Sequence, residues 1–229
     1  MKDILSYAEI TIKEGLPLQR GMNFRPKNKK YSILLMSAQE NSPYNDAFED
    51  NGNLLIYEGE DINRRESNLP KKIDQPFFTK TGKLSNNALF FKAAEDYKSK
   101  RREYPEKVQI YEKISNNVWA DKGMFLLVDA EYLYQESESR KVFKFHLVPN
   151  ILNNREQEDE EFEFSRRIPT NVKREVWERD GGRCRSCGSD KNLHFDHIIP
   201  FSKGGTSKDA SNIQILCAKC NLSKSNQII

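Results

Sequence analysis

The sequence lacks long hydrophobic runs, and it has no excess of glycine or proline. Its longest apolar stretches, around Ser32–Ala38 and Met124–Ala130, are far shorter than the roughly 18 residues that a membrane-spanning helix needs. The first residues contain three acidic side chains (Asp3, Glu9 and Glu14) and no apolar segment, so we expect neither a secretory signal nor a membrane partner. With 10% aromatic residues, 11 Gly and 9 Pro in 229 residues, the composition predicts an ordered chain.

The chain as a whole has no large excess of positive or negative charge, but parts of it do. The 37 basic and 34 acidic residues give a net charge of +3. Residues 166–229 contain 12 Lys and Arg against 6 Asp and Glu, a local charge of +6, and six acids lie in the run Glu156–Glu163. A basic C-terminal third behind an acidic segment favours a polyanionic partner, with ordinary surface charge as the alternative.

Cysteine is absent before residue 184, and the four cysteines form two pairs, Cys184-x2-Cys187 and Cys217-x2-Cys220. Because we expect no export signal, this spacing favours four thiolates around one structural Zn²⁺ over a disulfide framework. Redox pairs or free thiols are the alternatives. A domain of roughly 60 residues buries little apolar surface, so a bound metal would supply folding free energy. Because four sulfurs close the coordination shell, we expect this zinc to be structural, and the chemistry must come from other residues.

The segment between the two cysteine pairs predicts two strands joined by a turn. Leu193–Ile199 alternates apolar and polar residues, Gly204-Gly205 breaks the pattern, and Ile213–Leu216 is a second apolar run. A short helix is expected from Ala218. Upstream of the first pair, residues 169–180 predict an amphipathic helix.

Three motifs within this segment resemble those of the HNH (ββα-metal) nuclease family. They are Asp196-His197-Ile-Ile-Pro, Ser-Asn212-Ile and Cys-Asn221, and the resemblance extends over roughly Arg167 to the end. The resemblance implies that His197 is the general base and that Asp196 binds a catalytic Mg²⁺ or Mn²⁺. A neutral imidazole suits the first task, and a hard oxygen donor suits the second. It also implies that Asn221 completes the metal site and that Asn212 orients the base.

These roles have plainer alternatives. A histidine next to an aspartate is usually a satisfied pair, and Asn221 could cap the helix, because Asn is a favoured N-cap residue. Neighbours on a regular strand face opposite sides, so the strand must end or bend near His197 if it and Asp196 act together. His194 lies on the same strand face as Asp196, where a passive surface role is expected ahead of a contact with phosphate or metal.

The first 150 residues are rich in strand patterns. One clear helix follows Ser85, with apolar residues at helical spacing from Asn87 to Tyr97. The predicted strands are Tyr31–Ala38, Asn53–Glu58, Val108–Ile114, Met124–Ala130 and Val142–Val148.

We therefore predict an α+β protein with two domains. Residues 1–150 should form a curved β-sheet or barrel with one or two helices. Residues 151–166 should be an acidic linker, and residues 167–229 should form a small ββα domain that is stabilised by a zinc ion.

Several motifs in the N-terminal part resemble those of the SRA (SET- and RING-associated) domain, over roughly residues 30–150. They are Tyr44-Asn-Asp46, Asn-Gly at 51–52, Tyr57-Glu-Gly, Asp-Gln at 74–75 and Asn-Asn-Ala-Leu at 86–89. The resemblance implies a domain that flips a modified cytosine out of duplex DNA into a pocket.

Within such a pocket, Tyr44 and Tyr57 would stack on the base, and Asp46 would accept a hydrogen bond from its amino group. The spacing leaves Asp50 as an alternative to Asp46. A tyrosine in a half-buried strand is more often a core residue, which is the alternative for Tyr57.

Together the two parts resemble the SRA–HNH modification-dependent (type IV) restriction endonucleases. We expect a bacterial cytoplasmic enzyme that reads 5-methyl- or 5-hydroxymethylcytosine in double-stranded DNA and hydrolyses the phosphodiester backbone. One HNH site cuts one strand, so we expect a homodimer. The basic clusters Arg20–Lys30 and Lys98–Arg102 could hold phosphates or be solvated loops.

Two other functions stay open. One is a sequence-specific HNH endonuclease that acts on unmodified DNA. The other is a non-catalytic, zinc-containing DNA reader, although such a reader has no need for Asp196, His197 and Asn221 together.

Overall fold

The computed structural model describes residues 4–18, 21–38, 42–49, 53–150 and 168–225. The predicted linker at 151–166, including its acidic run, lies outside the described residues, as does Asp50. The chain divides into two compact units. The larger unit comprises residues 14–112 and 122–152, and the smaller one comprises residues 1–13, 113–121 and 153–229.

The larger unit is built on a mixed β-sheet. Its strands are β2 (Met22–Asn23), β3 (Ser32–Met36), β4 (Ala47–Glu49), β5 (Leu54–Glu58), β6 (Glu106–Ser115), β7 (Val118–Gln135) and β8 (Arg140–Pro149). They lie in the order β2-β3-β6-β7-β8-β5-β4. β3 and β6 are parallel, whereas the pairs β2–β3, β4–β5, β5–β8 and β7–β8 are antiparallel. Helix α2 (Asn86–Lys98) packs on β8 and β2.

Alternating apolar residues explain how these strands build a core. Phe143, Phe145 and Leu147 on β8 occupy every second position and are fully buried, as expected where one face of a sheet is covered. From α2, Phe90 packs into the same hydrophobic cluster. The helix begins where the sequence predicts, because the Ser85 hydroxyl accepts a hydrogen bond from the third helical N–H.

The smaller unit contains β1 (Ile4–Leu5), α1 (Tyr7–Glu14), α3 (Thr170–Asp180), β9 (Leu193–His197), β10 (Ile213–Cys217) and α4 (Ala218–Lys224). β9 and β10 form an antiparallel hairpin in which Asp196 is opposite Gln214. α3 packs on β10, and α4 packs on both strands. The β9–β10–α4 order is the ββα arrangement that the sequence predicts, and the α+β class is confirmed.

The division into units differs from the predicted boundary in two short segments. The prediction assigns residues 1–150 to one domain, whereas residues 1–13 and 113–121 cluster with the C-terminal part. The physical reason is a shared hydrophobic core, in which Ile4 and Ala120 pack with Val176 and Ile213.

The predicted elements are present, but the structure also contains elements that were not predicted, namely helix α1 and the short strands β1, β2 and β4. β7 extends over 18 residues where a shorter strand at 124–130 was expected. β9 ends at His197, two residues earlier than predicted. In the part of the chain that the structure describes, we find no helix long and apolar enough to cross a membrane.

Candidate functional site

The four cysteines converge in the smaller unit. Their sulfur atoms all lie within 4.8 Å of one another, and none forms a disulfide bond. The Sγ atoms of Cys187 and Cys217 are 3.7 Å apart. Two sulfurs bound to one tetrahedral zinc at 2.3 Å would be about 3.8 Å apart, so this donor set fits a Zn²⁺ ion.

The backbone around Cys184 favours its thiolate form. Burial disfavours the charged sulfur, but hydrogen bonds from the backbone of Cys217, Cys187 and Ser186 lower the pKa of Cys184 to about 6. The Cys184 carbonyl accepts a hydrogen bond from the N–H of Gly188 at 2.7 Å, which closes the turn that contains Cys184 and Cys187. The turn requires glycine because its φ of 74° is costly for other residues.

His197 is the last residue of β9. Its Nε2 lies 2.9 Å from the hydroxyl oxygen of Ser207, which is 1% exposed. β9 ends at His197, which is still paired with Ile213, so the strand terminates at the residue near which an end or a bend is required if His197 and Asp196 are to act together.

Asp196 carries a contact that the sequence does not predict. Its Oδ2 atom lies 3.0 Å from Nζ of Lys224 on α4, and Nε2 of Gln214 donates to the same oxygen at 3.4 Å. The Lys224 ammonium also donates to the backbone carbonyl of His197 at 2.7 Å. One lysine from α4 therefore contacts both Asp196 and His197.

Asn212 spans the loop between β9 and β10. Its side-chain oxygen accepts from the N–H of Ile199 at 2.9 Å, and its amide donates to the carbonyls of Ile199 and Thr206 at 3.2 and 2.9 Å. A Cβ atom on Gly205 would lie 1.9 Å from the Ile199 carbonyl oxygen, so only glycine fits there. Asn212 thus braces the loop that carries Ser207.

Asn221 is the fourth residue of α4, and the N-cap position is occupied by Cys217. The alternative in which Asn221 caps this helix is therefore wrong. Asn221 lies three residues before Lys224, so the two side chains share one helix face. His194 lies opposite Leu216 on the hairpin and is partly exposed.

In the larger unit, Tyr44, Asp46 and Tyr57 line one cavity of ≈ 410 Å³. This volume falls in the range of small-molecule sites. Three more side chains of the cavity wall carry charge, namely Glu60, Asp61 and Arg64.

The three predicted pocket residues differ in their surroundings. The carboxylate of Asp46 accepts hydrogen bonds from the N–H groups of Ser37 and Glu58 at 3.2 and 3.0 Å, and burial raises its pKa to about 7. Tyr57 is 2% exposed, so its ring belongs partly to the core. Burial also raises the pKa of Tyr44 to about 12, and its hydroxyl accepts from the N–H of Asp61 at 3.3 Å.

A buried charge network beside the cavity is absent from the sequence predictions. Arg140 is fully buried and donates to Asp61 at 2.5 Å and to Glu138 at 2.6 Å. Its third partner is Glu58, at 3.5 Å. Gln75, also buried, donates to Asp61 at 3.2 Å. These contacts fix Asp61 in the cavity wall.

Several side chains of the two predicted basic clusters form ion pairs within the described part of the chain. In the second cluster, Lys98 pairs with Asp129 at 2.7 Å, and Arg101 and Arg102 pair with acidic neighbours at 2.8 and 2.6 Å. In the first cluster, Arg25 pairs with Glu106 at 2.5 Å. This arrangement favours a structural role for these side chains over phosphate binding.

The HNH endonuclease family model matches residues 184–227. The chain therefore contains an HNH endonuclease domain, as the sequence predicts. No curated protein matches the chain.

Three solved structures illustrate what the chain is similar to. One is a complex of the SUVH5 SRA domain with hemi-methylated CG DNA, at 19% identity and a TM-score of 0.44, covering 64% of this chain and 86% of that chain. The modification-dependent TagI restriction endonuclease is 18% identical, with a TM-score of 0.43, and 97% of this chain and 76% of that chain are covered. For the DNA modification-dependent restriction endonuclease AspBHI the identity is 12%, the TM-score 0.39 and the coverage 56% and 60%.

Proposed function

We propose that this protein is a modification-dependent DNA endonuclease, in which the smaller unit cuts the DNA backbone and the larger unit reads a modified cytosine. The observation that carries the proposal is the position of Asp196 and His197 at the end of one strand. They lie on a ββα element in the segment that matches the HNH endonuclease family.

In the nuclease site, His197 takes the proton of the attacking water, while Ser207 holds its imidazole at Nε2. Asp196 and Asn221 would hold Mg²⁺ or Mn²⁺ through oxygen atoms, the ligands that these ions prefer. When bound, the ion neutralises negative charge on the scissile phosphate and on the leaving 3′ oxygen. Cleavage leaves 3′-hydroxyl and 5′-phosphate ends.

The donor set supports a structural zinc ion. Four thiol groups at the spacing of a tetrahedral shell leave no open position, so a Zn²⁺ ion there holds the fold and takes no part in hydrolysis. Cys217 and Cys220 flank the start of α4, the helix that also carries Asn221 and Lys224. The ion would therefore anchor the helix that completes the nuclease site.

In the larger unit, the cavity would accept a flipped base. The ammonium group of Lys71 lies 4.6 Å from the centre of the Tyr44 ring, so one face of that ring is covered and the other can stack on the base. Asp46 would accept a hydrogen bond from the cytosine amino group. The substituent on the cytosine would be a 5-methyl or 5-hydroxymethyl group. The enzyme would act in the bacterial cytoplasm as a homodimer, because a double-strand break needs two sites.

Digestion of matched plasmids tests the proposal. Plasmids that carry cytosine, 5-methylcytosine or 5-hydroxymethylcytosine are incubated with the protein and either Mg²⁺ or Mn²⁺. We expect cleavage of a modified plasmid only, and loss of cleavage with retained DNA binding in His197→Ala. Tyr44→Ala should lose the preference for modified DNA, whereas Tyr104→Ala, which changes a tyrosine that is 66% exposed, should not.

Three outcomes would contradict parts of the proposal. Equal cutting of unmodified plasmid would favour an endonuclease that reads ordinary sequence. Binding of modified DNA without cutting under either metal would favour a non-catalytic reader. Unchanged cutting by His197→Ala would refute the assigned base.

A further inference from the structure

Lys224 is buried although it ends a short helix. The residue is 2% exposed, and lysine is rarely buried to this extent unless its ammonium group is paired. Its Nζ atom lies 3.0 Å from Oδ2 of Asp196 and 2.7 Å from the carbonyl oxygen of His197. A single buried cation thus contacts the side chain of one proposed site residue and the backbone of the next.

The contacts of Asp196 lie on one side of its carboxylate. Lys224 and Gln214 both contact Oδ2, and the described part of the chain offers no hydrogen bond to Oδ1. The side chain is 18% exposed. A carboxylate that is held through one oxygen presents the other in a fixed direction, and metal sites depend on such support for their ligands.

The second contact of Lys224 fixes the end of β9. The His197 carbonyl accepts from Lys224, and the N–H of the next residue, Ile198, donates to the Asn212 carbonyl at 2.7 Å. The backbone at His197 is therefore held on both sides. Because the backbone sets the direction in which a side chain leaves the strand, the same ammonium group helps to aim the imidazole.

We propose that Lys224 is a positioning residue of the nuclease site, which orients the Asp196 carboxylate toward a divalent cation and fixes the strand end that carries His197. This inference rests on the proposed function, since it assumes the roles given to those two residues. Lys224 does so without contact to DNA or to the reacting atoms, through the hydrogen bonds described above.

Three variants of the full-length, zinc-loaded protein test this role. Lys224→Met removes the cation and both hydrogen bonds but keeps the length of the side chain. Lys224→Arg keeps a cation that can reach both acceptors. Lys219→Met is the matched control, because Lys219 is exposed on the same helix. We measure kcat and KM on modified plasmid, Mn²⁺ binding in the absence of DNA by electron paramagnetic resonance, zinc content and Tm.

For Lys224→Met we expect kcat to fall about 10- to 100-fold and Mn²⁺ affinity to fall about tenfold, the range seen when a supporting partner of a metal ligand is lost. KM for DNA should stay within about twofold, because DNA recognition lies in the larger unit. Lys224→Arg should recover part of both losses, and Lys219→Met should match the unaltered protein. If Lys224 had a purely structural role, its substitution would lower Tm without lowering kcat at an unchanged KM.

Several results would overturn the inference. One is a folded Lys224→Met variant with unaltered kcat and Mn²⁺ binding. Another is tighter Mn²⁺ binding by that variant, which would mean that the ammonium group only competes with the cation. If Lys224→Met fails to fold, the same measurements are made on Lys224→Gln, which keeps a donor to the His197 carbonyl. If neither variant folds, Lys224 contributes to stability alone and the inference fails.

The test also separates this inference from the proposed function. If the unaltered protein cuts none of the plasmids, the proposed nuclease activity fails, whereas the Mn²⁺ titration still measures the effect of Lys224 on Asp196.

Discussion

The imidazole Nε2 of His197 and the hydroxyl oxygen of Ser207 lie 2.9 Å apart, and Ser207 is almost completely buried. When Nε2 carries the ring proton and donates it to Ser207, Nδ1 keeps the lone pair that a general base needs. Asn212 holds this serine in place by donating to the carbonyl of the preceding residue, Thr206. Under the proposed function, Asn212 would therefore act on the base through the loop that carries Ser207.

Ser207→Ala should slow cleavage without weakening DNA binding. The imidazole would lose the contact that fixes its orientation and its tautomer, so we expect kcat to fall about tenfold, with KM unchanged. Single-turnover cleavage of modified plasmid measures the effect. Ser211→Ala is the control, because Ser211 lies in the same loop and is exposed. Full activity of Ser207→Ala would show that the contact does not matter for the base.

Cys220→Ser should release the zinc and with it the nuclease site. Cys217 and Cys220 flank the start of α4, so an incomplete thiolate shell frees the helix that carries Asn221 and Lys224. We expect less than one zinc per chain by mass spectrometry, a lower Tm and a loss of cleavage of roughly 100-fold or more. Ser223→Ala, at an exposed serine of the same helix, should keep its zinc. A Cys220→Ser variant with full zinc content would contradict the four-thiolate site.

The stability of the larger unit should depend on pH through Asp46. Burial raises the pKa of this carboxyl to about 7, from an ordinary value of 3.8. Between about pH 4 and 7 the folded state holds the Asp46 proton and the unfolded state does not, so stability falls as the pH rises. The contribution to the free energy of unfolding changes by at most about 1.4 kcal/mol per pH unit and is fully lost above pH 7.

Urea unfolding of Asp46→Asn between pH 4 and 8 measures this contribution. The asparagine cannot ionise, so its variant should show a flatter dependence of unfolding free energy on pH than the unaltered protein. Asp74→Asn, at an exposed carboxylate of the same unit, should keep the original slope. Parallel curves for the unaltered protein and Asp46→Asn would show that Asp46 ionises freely.

Local patterns were sufficient to predict most elements of this fold. Apolar alternation located β8, β9 and β10, and the Ser85 cap located α2. The pattern failed for β7, because its first part, Val118–Gly123, contains charged residues and a glycine that conceal a strand. It also could not show that residues 4–13 pack with the C-terminal part, since that choice depends on contacts between distant segments.

Sequence patterns predict only part of the proposed nuclease site. The motif located Asp196, His197 and Asn221, but a serine in a polar turn and a lysine in a short helix look like ordinary surface residues. One signal existed for Lys224. It lies three residues after Asn221, so a helix places a cation on the same face as a proposed metal ligand. For the charge network beside the cavity no local signal existed, because Arg140 and its partner Asp61 are 79 residues apart.

Arg140→Met should destabilise the larger unit and impair its cavity. The substitution leaves the buried Glu58 carboxylate and the Asp61 carboxylate without their shared cation, and the removal of one partner from a buried pair costs about 3–5 kcal/mol. Lys71 still contacts both carboxylates at 3.5 Å, and Lys144 contacts Glu58 at 2.9 Å, so Glu58 keeps two cations whereas Asp61 in the cavity wall keeps one. We expect a lower urea midpoint and a smaller preference for modified over unmodified duplex in binding assays.

Arg64→Met, at an exposed position of the same cavity, should leave the urea midpoint unchanged. A stable Arg140→Met variant with an unaltered preference for modified duplex would contradict the role of the network.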